Sequence, residues 1–388
     1  MIARRSLLIA ALLTAPAAWA NPPGPVDLRA IELRRLLPQA AALLAGSPRT
    51  IAAIPTPRSP AGRQDYYSEG DYWWPDPANP GGAYIRRDGR SNPDKFDGHR
   101  DALIAFGRTV PALATLWDLT GEARFADVAM CHLQAWFIDP ATRMSPNLNH
   151  AQAIIGVNSG RAIGAIDTLQ IVEVARAAAL FSRRKAPGYA KIRAGVEGWF
   201  AEYLGWLTAS PFGTTERDEK NNHGTCWLLQ AASFAALLGR EDVLEDARIR
   251  LQTIIIPTQI EPDGRQPLEL VRTKPYAYSL FNLDVLAASA WLLGKGTGEL
   301  IDWKTRDGRS IAGAVAWMAP YIADKTQWPL PPDIEYWDGF PVRQPSLLFG
   351  SLAQNRADWL EIWQRLNPDP MIGEVVRNFP VRQPLLWL

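Results

Sequence analysis

The sequence contains few of the residues that build metal centres or disulfide frameworks. It has two cysteines and four histidines among 388 residues. The histidines are scattered along the chain, and neither an HExxH nor a CxxC pattern occurs. We therefore predict no catalytic transition metal and no cofactor.

The N-terminal apolar run, residues 7–13, is too short to span a membrane. Arg4 and Arg5 precede it and Ala18-Trp19-Ala20 follows it, a pattern typical of a secretory signal with a small-x-small cleavage site. The paired arginines also fit twin-arginine export. We predict that residues 1–20 are a signal peptide, that no membrane anchor remains after its removal, and that the protein is periplasmic or secreted.

An excess of charge of either sign is also missing. The formal net charge is +1, and it becomes −1 when Arg4 and Arg5 are removed. A nearly neutral protein has no global field to attract a polyanion, so an anionic ligand must meet locally placed Arg and Lys side chains. We expect no nucleic acid partner.

The mature chain, residues 21–388, is long enough for one large domain or two, and we predict one. Cys131 and Cys226 both lie in apolar, helix-like runs. An oxidising compartment would allow a disulfide between them, and two buried free thiols fit the pattern equally well.

Helical periodicity recurs along the chain, whereas the alternation typical of strands is hardly present. Two turns, at Gly121 and Gly239, carry glycine where a helix C-cap requires a positive φ, and Gly294 is predicted to end a third helix in the same way. Predicted helices lie near residues 27–46, 99–119, 122–138, 161–182, 189–209, 225–238, 241–255, 277–294, 309–323 and 355–365.

Long polar loops rich in proline and aromatic residues separate these helices, and loops of this length are usually functional. Repeated helical hairpins with long loops at one end predict an all-α fold, an α/α toroid that forms an incomplete barrel with a substrate cleft. A helical solenoid is the alternative. The loops cover residues 55–98, 139–160, 211–224, 257–275 and 326–346.

The first loop is rich in aromatic residues, among them Tyr66, Tyr72, Trp73 and Trp74. Flat amphipathic rings stack well on the apolar faces of sugars, so we expect a sugar-binding platform that includes Tyr66, Tyr72 and Trp73. In the alternative, Trp73 and Trp74 fill the base of the helical barrel, and only Tyr66 or Tyr72 is exposed to solvent.

The second loop brings Asn149 and His150 close to Arg161. Amides, an imidazole and a guanidinium can hydrogen-bond hydroxyl groups and a carboxylate, so we expect these three residues to bind substrate. Helix capping by Asn149 is the alternative, and it explains only that residue.

The third loop ends in Asn221-Asn222-His223, directly ahead of an apolar helical run. A solitary histidine at a helix start is more often a capping or packing residue. The two preceding amides favour function, because they can hold a carboxylate in its neutralised form beside the imidazole. The fourth loop adds cations and tyrosines, of which Arg265, Arg272, Tyr276 and Tyr278 are candidates.

These residues suit β-elimination of a uronic acid, in which a proton leaves the carbon next to a carboxylate and the neighbouring glycosidic oxygen departs. The carboxylate must first be neutralised, because the developing carbanion would lie beside a negative charge. Tyrosine is mostly protonated at neutral pH, and we expect the Arg272 cation to stabilise the phenolate of Tyr278.

The chain resembles the alginate lyase superfamily of α/α-toroid polysaccharide lyases. The resemblance covers roughly residues 60–295 and rests on these motifs in order: Tyr-Trp-Trp-Pro-Asp-Pro, Asn-Leu-Asn-His-Ala-Gln, Asn-Asn-His, Pro-Leu-Glu-Leu-x-Arg and Ser-Leu-Phe-Asn-Leu. It implies that Asn222, His223 and Arg272 neutralise the uronate carboxylate and that Tyr278 transfers the protons, with Tyr276 as the reserve. It also implies an anionic polysaccharide as substrate.

The chain departs from the mannuronate-specific branch after His223. An aromatic residue usually follows the Asn-His pair there, whereas Gly224-Thr225-Cys226 intervenes here. This departure indicates a broader or different branch. Mannuronate and glucuronate share the relevant stereochemistry, so alginate and glucuronan both remain candidates, and guluronate would require His223 as the base.

Two other function classes remain open at this point. A glycoside hydrolase acting on uronic-acid oligosaccharides would need two opposed carboxylates, which Asp71, Asp76 or Glu269 could supply. A non-catalytic periplasmic uronate-binding protein would keep the aromatic residues and cations but would not need Tyr278.

Overall fold

The computed structural model describes residues 26–56 and 58–388. The predicted signal peptide, residues 1–20, lies outside these residues. The described part is mostly helical, and its helices are α1 (Leu28–Leu36), α2 (Ala40–Ala45), α3 (Gly98–Thr120), α4 (Ala123–Phe137), α5 (Val172–Arg183), α6 (Tyr189–Ala209), α7 (Pro211–Arg217), α8 (Asn222–Leu238), α9 (Glu241–Arg250), α10 (Ile256–Gln259), α11 (Pro267–Leu270), α12 (Pro275–Leu293), α13 (Glu299–Asp302), α14 (Ile311–Ala323), α15 (Pro345–Gln354), α16 (Ala357–Arg365) and α17 (Gly373–Arg377).

The longer helices form two concentric layers. The inner helices α3, α5, α8, α12 and α15 pack side by side in that order, and α4, α6, α9, α14 and α16 lie outside them. Helix α12 is buried along almost its whole length, as expected of a helix that is apolar on every face. This arrangement is the α/α toroid that the sequence predicts.

Glycine caps turn the chain between the layers at two of the three predicted positions. Gly121 (φ 74°) ends α3 and Gly239 (φ 67°) ends α8 in the left-handed conformation. Gly294 ends α12 as predicted, but the prediction of a left-handed conformation there is wrong, because its φ is −80°. The left-handed residues of that turn are the next two, Lys295 and Gly296, with φ of 52° and 76°.

Some predicted boundaries also differ from the structure. The predicted helix 161–182 begins as a 3-10 helix over Ala162–Ile171 and becomes α-helical only as α5. Gly107 of α3 packs against the 3-10 segment so closely that a Cβ there would collide with the Gln170 carbonyl oxygen. Helix α15 lies partly in a predicted loop.

Short strands organise the loops at one end of the barrel. Strands β1 (Tyr67–Glu69) and β4 (His150–Ala153) pair in parallel and join the first two long loops. Strands β2 (Trp73–Trp74) and β3 (Ile85–Arg86) form a small antiparallel hairpin within the first loop.

Both cysteines are free thiols, Cys131 exposed and Cys226 buried, so they form no disulfide with each other. Helix α3 is long and apolar enough to cross a membrane, but 72% of its apolar window is buried inside the protein. It is therefore an inner helix of the barrel.

Candidate active site

A cavity of about 260 Å³ opens at the end of the barrel where the long loops meet. Helices α8 and α12 both begin at this cavity, so the positive ends of their dipoles favour an anionic ligand there. The cavity is lined by Asp71, Tyr72, Trp73, Arg86, Gln152, Arg161, Ile163, Ile166, Glu219, Asn221, Asn222, His223, Arg272, Tyr278, Phe281, Glu374, Arg377 and Asn378.

Asn222 is held in a fixed orientation by a buried carboxylate. Its backbone N–H and its side-chain Nδ2 donate to the two carboxylate oxygens of Glu269, each at 2.8 Å. Glu269 comes from α11, and burial raises the pKa of its carboxyl while the bonds from Asn222 oppose the rise. Nδ2 carries a second hydrogen, which remains available for a ligand carboxylate.

His223 is paired with a second buried carboxylate. Its Nδ1 lies 2.8 Å from Oε1 of Glu216, which is fully buried in α7. Burial disfavours the charged imidazolium, but Glu216, with smaller contributions from Glu219 and Glu269, outweighs burial, so the pKa of His223 is raised. The pairing through Nδ1 leaves Nε2 as the ring nitrogen that can donate to a ligand.

The local sequence explains how these two donors reach the cavity. Asn221 is the N-cap of α8, where its Oδ1 accepts a hydrogen bond from the His223 N–H at 3.1 Å. Gly224 packs onto the preceding turn, and a Cβ there would collide with the carbonyl oxygen of Glu219. The glycine that departs from the expected motif is thus required by this close packing.

Tyr278 lies in the first turn of α12 and contacts a second tyrosine. Its hydroxyl is 2.5 Å from the hydroxyl of Tyr72, which the first loop supplies. Arg272 stacks on the Tyr278 ring, with Cζ 4.1 Å from the ring centroid, and its Nη2 donates to the Tyr278 hydroxyl at 3.2 Å. Asp88 holds the same Nη2 at 3.3 Å.

The electrostatics of Tyr278 only partly match the expectation from sequence. Burial raises the pKa of Tyr278 well above its usual value, and Tyr72 adds to the rise. Arg272 lowers the pKa as expected, and Lys274 acts in the same direction. Burial outweighs both cations, so Arg272 alone does not provide a ready phenolate.

Arg161 lines another part of the cavity. Its Nε and Nη2 donate to the backbone oxygen and Oε1 of Gln152 at 2.8 and 3.0 Å, and its guanidinium lies 5.7 Å from the Trp73 ring centroid. Gly70 makes room for this stack, since a Cβ there would meet both side chains. Burial lowers the pKa of Arg161 to about 10, so it remains a cation at neutral pH.

Comparison with known proteins identifies the family. The alginate lyase family model matches residues 51–328, well over half of the chain. The chain belongs to the alginate lyase family. An alginate lyase from Bacteroides ovatus is 30% identical, with a TM-score of 0.78 and coverage of 92% of both chains. Alginate lyase A1-III from Sphingomonas species A1 is 16% identical over 82% of this chain and 86% of that chain, and its TM-score of 0.50 indicates a similar fold alone.

No match was found among curated protein sequences. Membership of the alginate lyase family makes this chain a polysaccharide lyase that acts on an alginate-like, anionic polymer. The prediction of an enzyme of this class is confirmed.

Some predicted binding residues of this alginate lyase lie away from the cavity. Tyr66 is 1% exposed, and its hydroxyl donates to Asp167 in the core, so the expectation of an exposed sugar platform is wrong for this ring. Tyr276 is fully buried and donates to the Tyr321 carbonyl oxygen, which removes it as the reserve for Tyr278.

Three further candidates lie outside the cavity lining. Asn149 accepts a hydrogen bond from Trp206 Nε1 at 3.0 Å, and His150 pairs through Nδ1 with the Ser159 carbonyl oxygen. Arg265 is exposed and forms an ion pair with Asp263, two residues before it. The cavity does include Tyr72, Trp73, Arg161 and Asn221.

The carboxylates considered for a hydrolase have other partners. Although burial favours its neutral form, the guanidinium groups of Arg100 and Arg377 hold the pKa of Asp71 well below its usual range. Glu269 is occupied by Asn222, and Asp76 is partly buried and lies outside the cavity lining. These contacts agree with lyase rather than hydrolase chemistry.

The sequence reasoning missed several residues at or behind the cavity. Gln152 orients Arg161, and Glu374 and Arg377 come from a C-terminal segment that carried no recognisable motif. Glu216 lies seven residues before His223, a separation that suggests no contact until the α7–α8 turn is known. Within residues 26–56 and 58–388, no group of three or more His, Cys, Asp or Glu side chains is placed to hold a metal ion.

Proposed function

We propose that this lyase cleaves β-linked D-uronate polymers by syn β-elimination, with polymannuronate as the favoured substrate and glucuronan as the alternative. The observation that carries the proposal is that Asn222, His223, Arg272 and Tyr278 line one cavity. These are the donors, the cation and the proton carrier that the reaction needs.

In the first step the substrate carboxylate is neutralised. Asn222 Nδ2 and His223 Nε2 donate to it, and Arg272 provides a positive charge. The fixed amide and the imidazolium cost no reorganisation when negative charge spreads from C5 into the carboxylate, which is the condition for effective electrostatic stabilisation.

Tyr278 then acts first as the base and afterwards as the acid, and it carries the same proton in both steps. Its phenolate oxygen takes the C5 proton, the C5–H electron pair forms the C4–C5 double bond, and the C4–O bond breaks. The phenol returns the proton to the departing glycosidic oxygen. One residue suffices because the C5 hydrogen and the C4 oxygen lie on the same face of β-D-mannuronate and β-D-glucuronate.

The decisive assay compares polymannuronate, polyguluronate and glucuronan and follows the ultraviolet absorbance of the unsaturated product. We expect cleavage of polymannuronate, of glucuronan or of both, and little cleavage of polyguluronate, whose C5 proton faces the other way. Cleavage of polyguluronate alone would contradict the assignment of Tyr278 as the single proton carrier.

We further propose that Arg161 and Trp73 bind the uronate next to the cleaved bond. Arg161 is a largely buried cation whose hydrogen bonds among the described residues go to the neutral Gln152, and its companion ring can stack on a sugar face. Arg161→Met should raise KM for polymer about tenfold while kcat changes little, because a charge-assisted hydrogen bond is worth about 1.5–3 kcal/mol. Arg265→Met, which removes an exposed arginine outside the cavity, is the matched control.

We also propose export of the protein, on the basis of the pattern in residues 1–20. Expression in a bacterial host and N-terminal sequencing should give a mature chain beginning at Asn21. Retention of the intact N-terminus in the cytoplasmic fraction would contradict this.

A further inference from the structure

Lys274 is a buried cation that lies behind the tyrosine pair without lining the cavity. It is 3% exposed. Its Nζ lies 5.3 Å from the ring centroid of Tyr72, 5.8 Å from that of Tyr278 and 5.4 Å from that of Tyr336. Its nearest carboxylate is Glu374, at 3.3 Å.

This position is costly for a lysine unless the surroundings compensate for burial. Burial lowers the pKa of the amine, but Glu374 and Tyr278 outweigh burial, so the pKa of Lys274 is raised. The ammonium group therefore stays charged next to two phenols whose hydroxyls touch.

Several other charged groups surround the Tyr72–Tyr278 pair. Asp71 comes from the first loop, Glu374 and Arg377 come from α17, and Arg272 comes from the segment before α12. Glu374 is shared, because its other oxygen lies 3.4 Å from Arg377. The carboxylate thus neutralises Lys274 only in part.

Arg272 and Lys274 differ in whether a bound substrate can neutralise their charge. Arg272 lines the cavity, so a bound uronate carboxylate can pair with it and cancel much of its charge. Lys274 lies behind the rings, where substrate does not reach, so its charge persists in the complex. Asp333, the nearest acid in the loop before α15, is occupied by the backbone N–H groups of Tyr276 and Ala277.

We propose that Lys274 is a positioning residue that packs against the rings of Tyr72 and Tyr278 and supplies the charge that allows Tyr278 to lose its proton while substrate occupies Arg272. This inference rests on the proposed role of Tyr278 as the proton carrier. Lys274 itself touches neither substrate nor the reacting atoms.

The test measures pH profiles of kcat and KM for Lys274→Met, Lys274→Arg and Glu374→Gln. Lys274→Met should lower kcat at neutral pH about tenfold and move the profile limb that belongs to the phenol up by about one pH unit, with KM nearly unchanged. Lys274→Arg should restore most of this loss, because it keeps the charge. Glu374→Gln should move the same limb in the opposite direction.

Lys325→Met is the matched control. Lys325 also lies against aromatic rings, 4.3 Å from the Trp337 centroid, and donates to two backbone carbonyl oxygens, but it is not among the residues that line the cavity. Its loss should leave the pH profile unchanged. A purely structural role for Lys274 would lower kcat equally at all pH values, with no shift of the limb and no rescue by arginine, and would overturn the proposal.

A direct titration separates this inference from the proposed function. Tyrosine Cζ resonances, assigned by comparison with Tyr278→Phe, should show the Tyr278 phenol titrating at higher pH in Lys274→Met. If Tyr278→Phe is inactive but the Tyr278 resonance titrates identically with and without Lys274, only the role of Lys274 is wrong. If Tyr278→Phe remains fully active, the proposed function itself is wrong.

Discussion

Two groups of side chains line the cavity, and charges of opposite sign lie behind them. Asn222 and His223, which donate hydrogen bonds, are each backed by a buried carboxylate, Glu269 or Glu216. Tyr278, which must lose a proton, has Lys274 behind it, with Nζ 5.8 Å from the ring centroid, and Arg272 beside it in the cavity, with Cζ 4.1 Å from the centroid.

The difference follows from what each group must do. A carboxylate behind a donor fixes its orientation and, for His223, favours the protonated form. A cation behind a phenol favours the form that has lost its proton. The two carboxylates therefore support the hydrogen-bond donors, and the cations oppose the rise that burial causes in the pKa of Tyr278. All of these side chains are largely buried.

Removing the base should have the largest effect. Tyr278→Phe should lower kcat about 10³-fold, within the range typical of a lost acid–base group, with KM little changed. The measurement is the initial rate of unsaturated product formation on polymannuronate or glucuronan. Tyr276→Phe is the control, because that hydroxyl lies in the core, and it should lose only about 1 kcal/mol of unfolding free energy.

Removing the charge behind His223 should have the next largest effect. Glu216→Gln lowers the raised pKa of His223, so the imidazolium form disappears at a lower pH. The ratio of mutant to wild-type kcat/KM should therefore be near one in acid and fall by about 10 to 100-fold as pH rises. A ratio independent of pH would contradict a charged His223.

Glu269→Gln should separate orientation from charge. The Asn222 amide does not titrate, and Glu269 is a smaller cause of the raised pKa of His223 than Glu216, so weakening its support should lower kcat/KM roughly tenfold with only a weak dependence on pH. A pH-dependent loss like that expected for Glu216→Gln would mean that both carboxylates act on His223.

The smallest effect is expected for a tyrosine that only resembles the catalytic pair in sequence. Tyr66→Phe removes a buried hydroxyl that donates to Asp167 at 3.1 Å. The free energy of unfolding, measured by urea denaturation, should fall by about 1 kcal/mol. Any rise in KM would place Tyr66 closer to substrate than its burial allows.

The sequence predicted the fold well because the helices are long and their turns carry glycine at the caps. Helix α15 escaped because residues 345–351 are all buried, so its sequence shows no one-sided apolar stripe, and because it follows a proline-rich loop. The 3-10 segment before α5 escaped because it is as apolar as an α-helix, and its tighter winding reflects close packing against α3.

Site residues that lie close together in short motifs were predicted from the sequence, and those brought to the cavity from distant segments were missed. Asn222, His223, Arg272 and Tyr278 lie in two short motifs that reach the same cavity. The sequence does not show which aromatic residues of the first loop are buried, because Tyr66 and Tyr72 have similar neighbours. Tyr66 directly precedes β1, whose pairing with β4 places it in the core. Lys274 looked like one of several loop cations until its burial was known.

The hydroxyl contact between Tyr72 and Tyr278 joins residues 206 positions apart, whereas His223 and Glu216 are seven apart. Helices and short-range pairs form early in folding, and contacts of long sequence separation form only after large loops have closed. After dilution from denaturant, helical circular dichroism should therefore return before catalytic activity does. The delay between the two signals measures how long the first loop takes to pack against the N-terminal turn of α12.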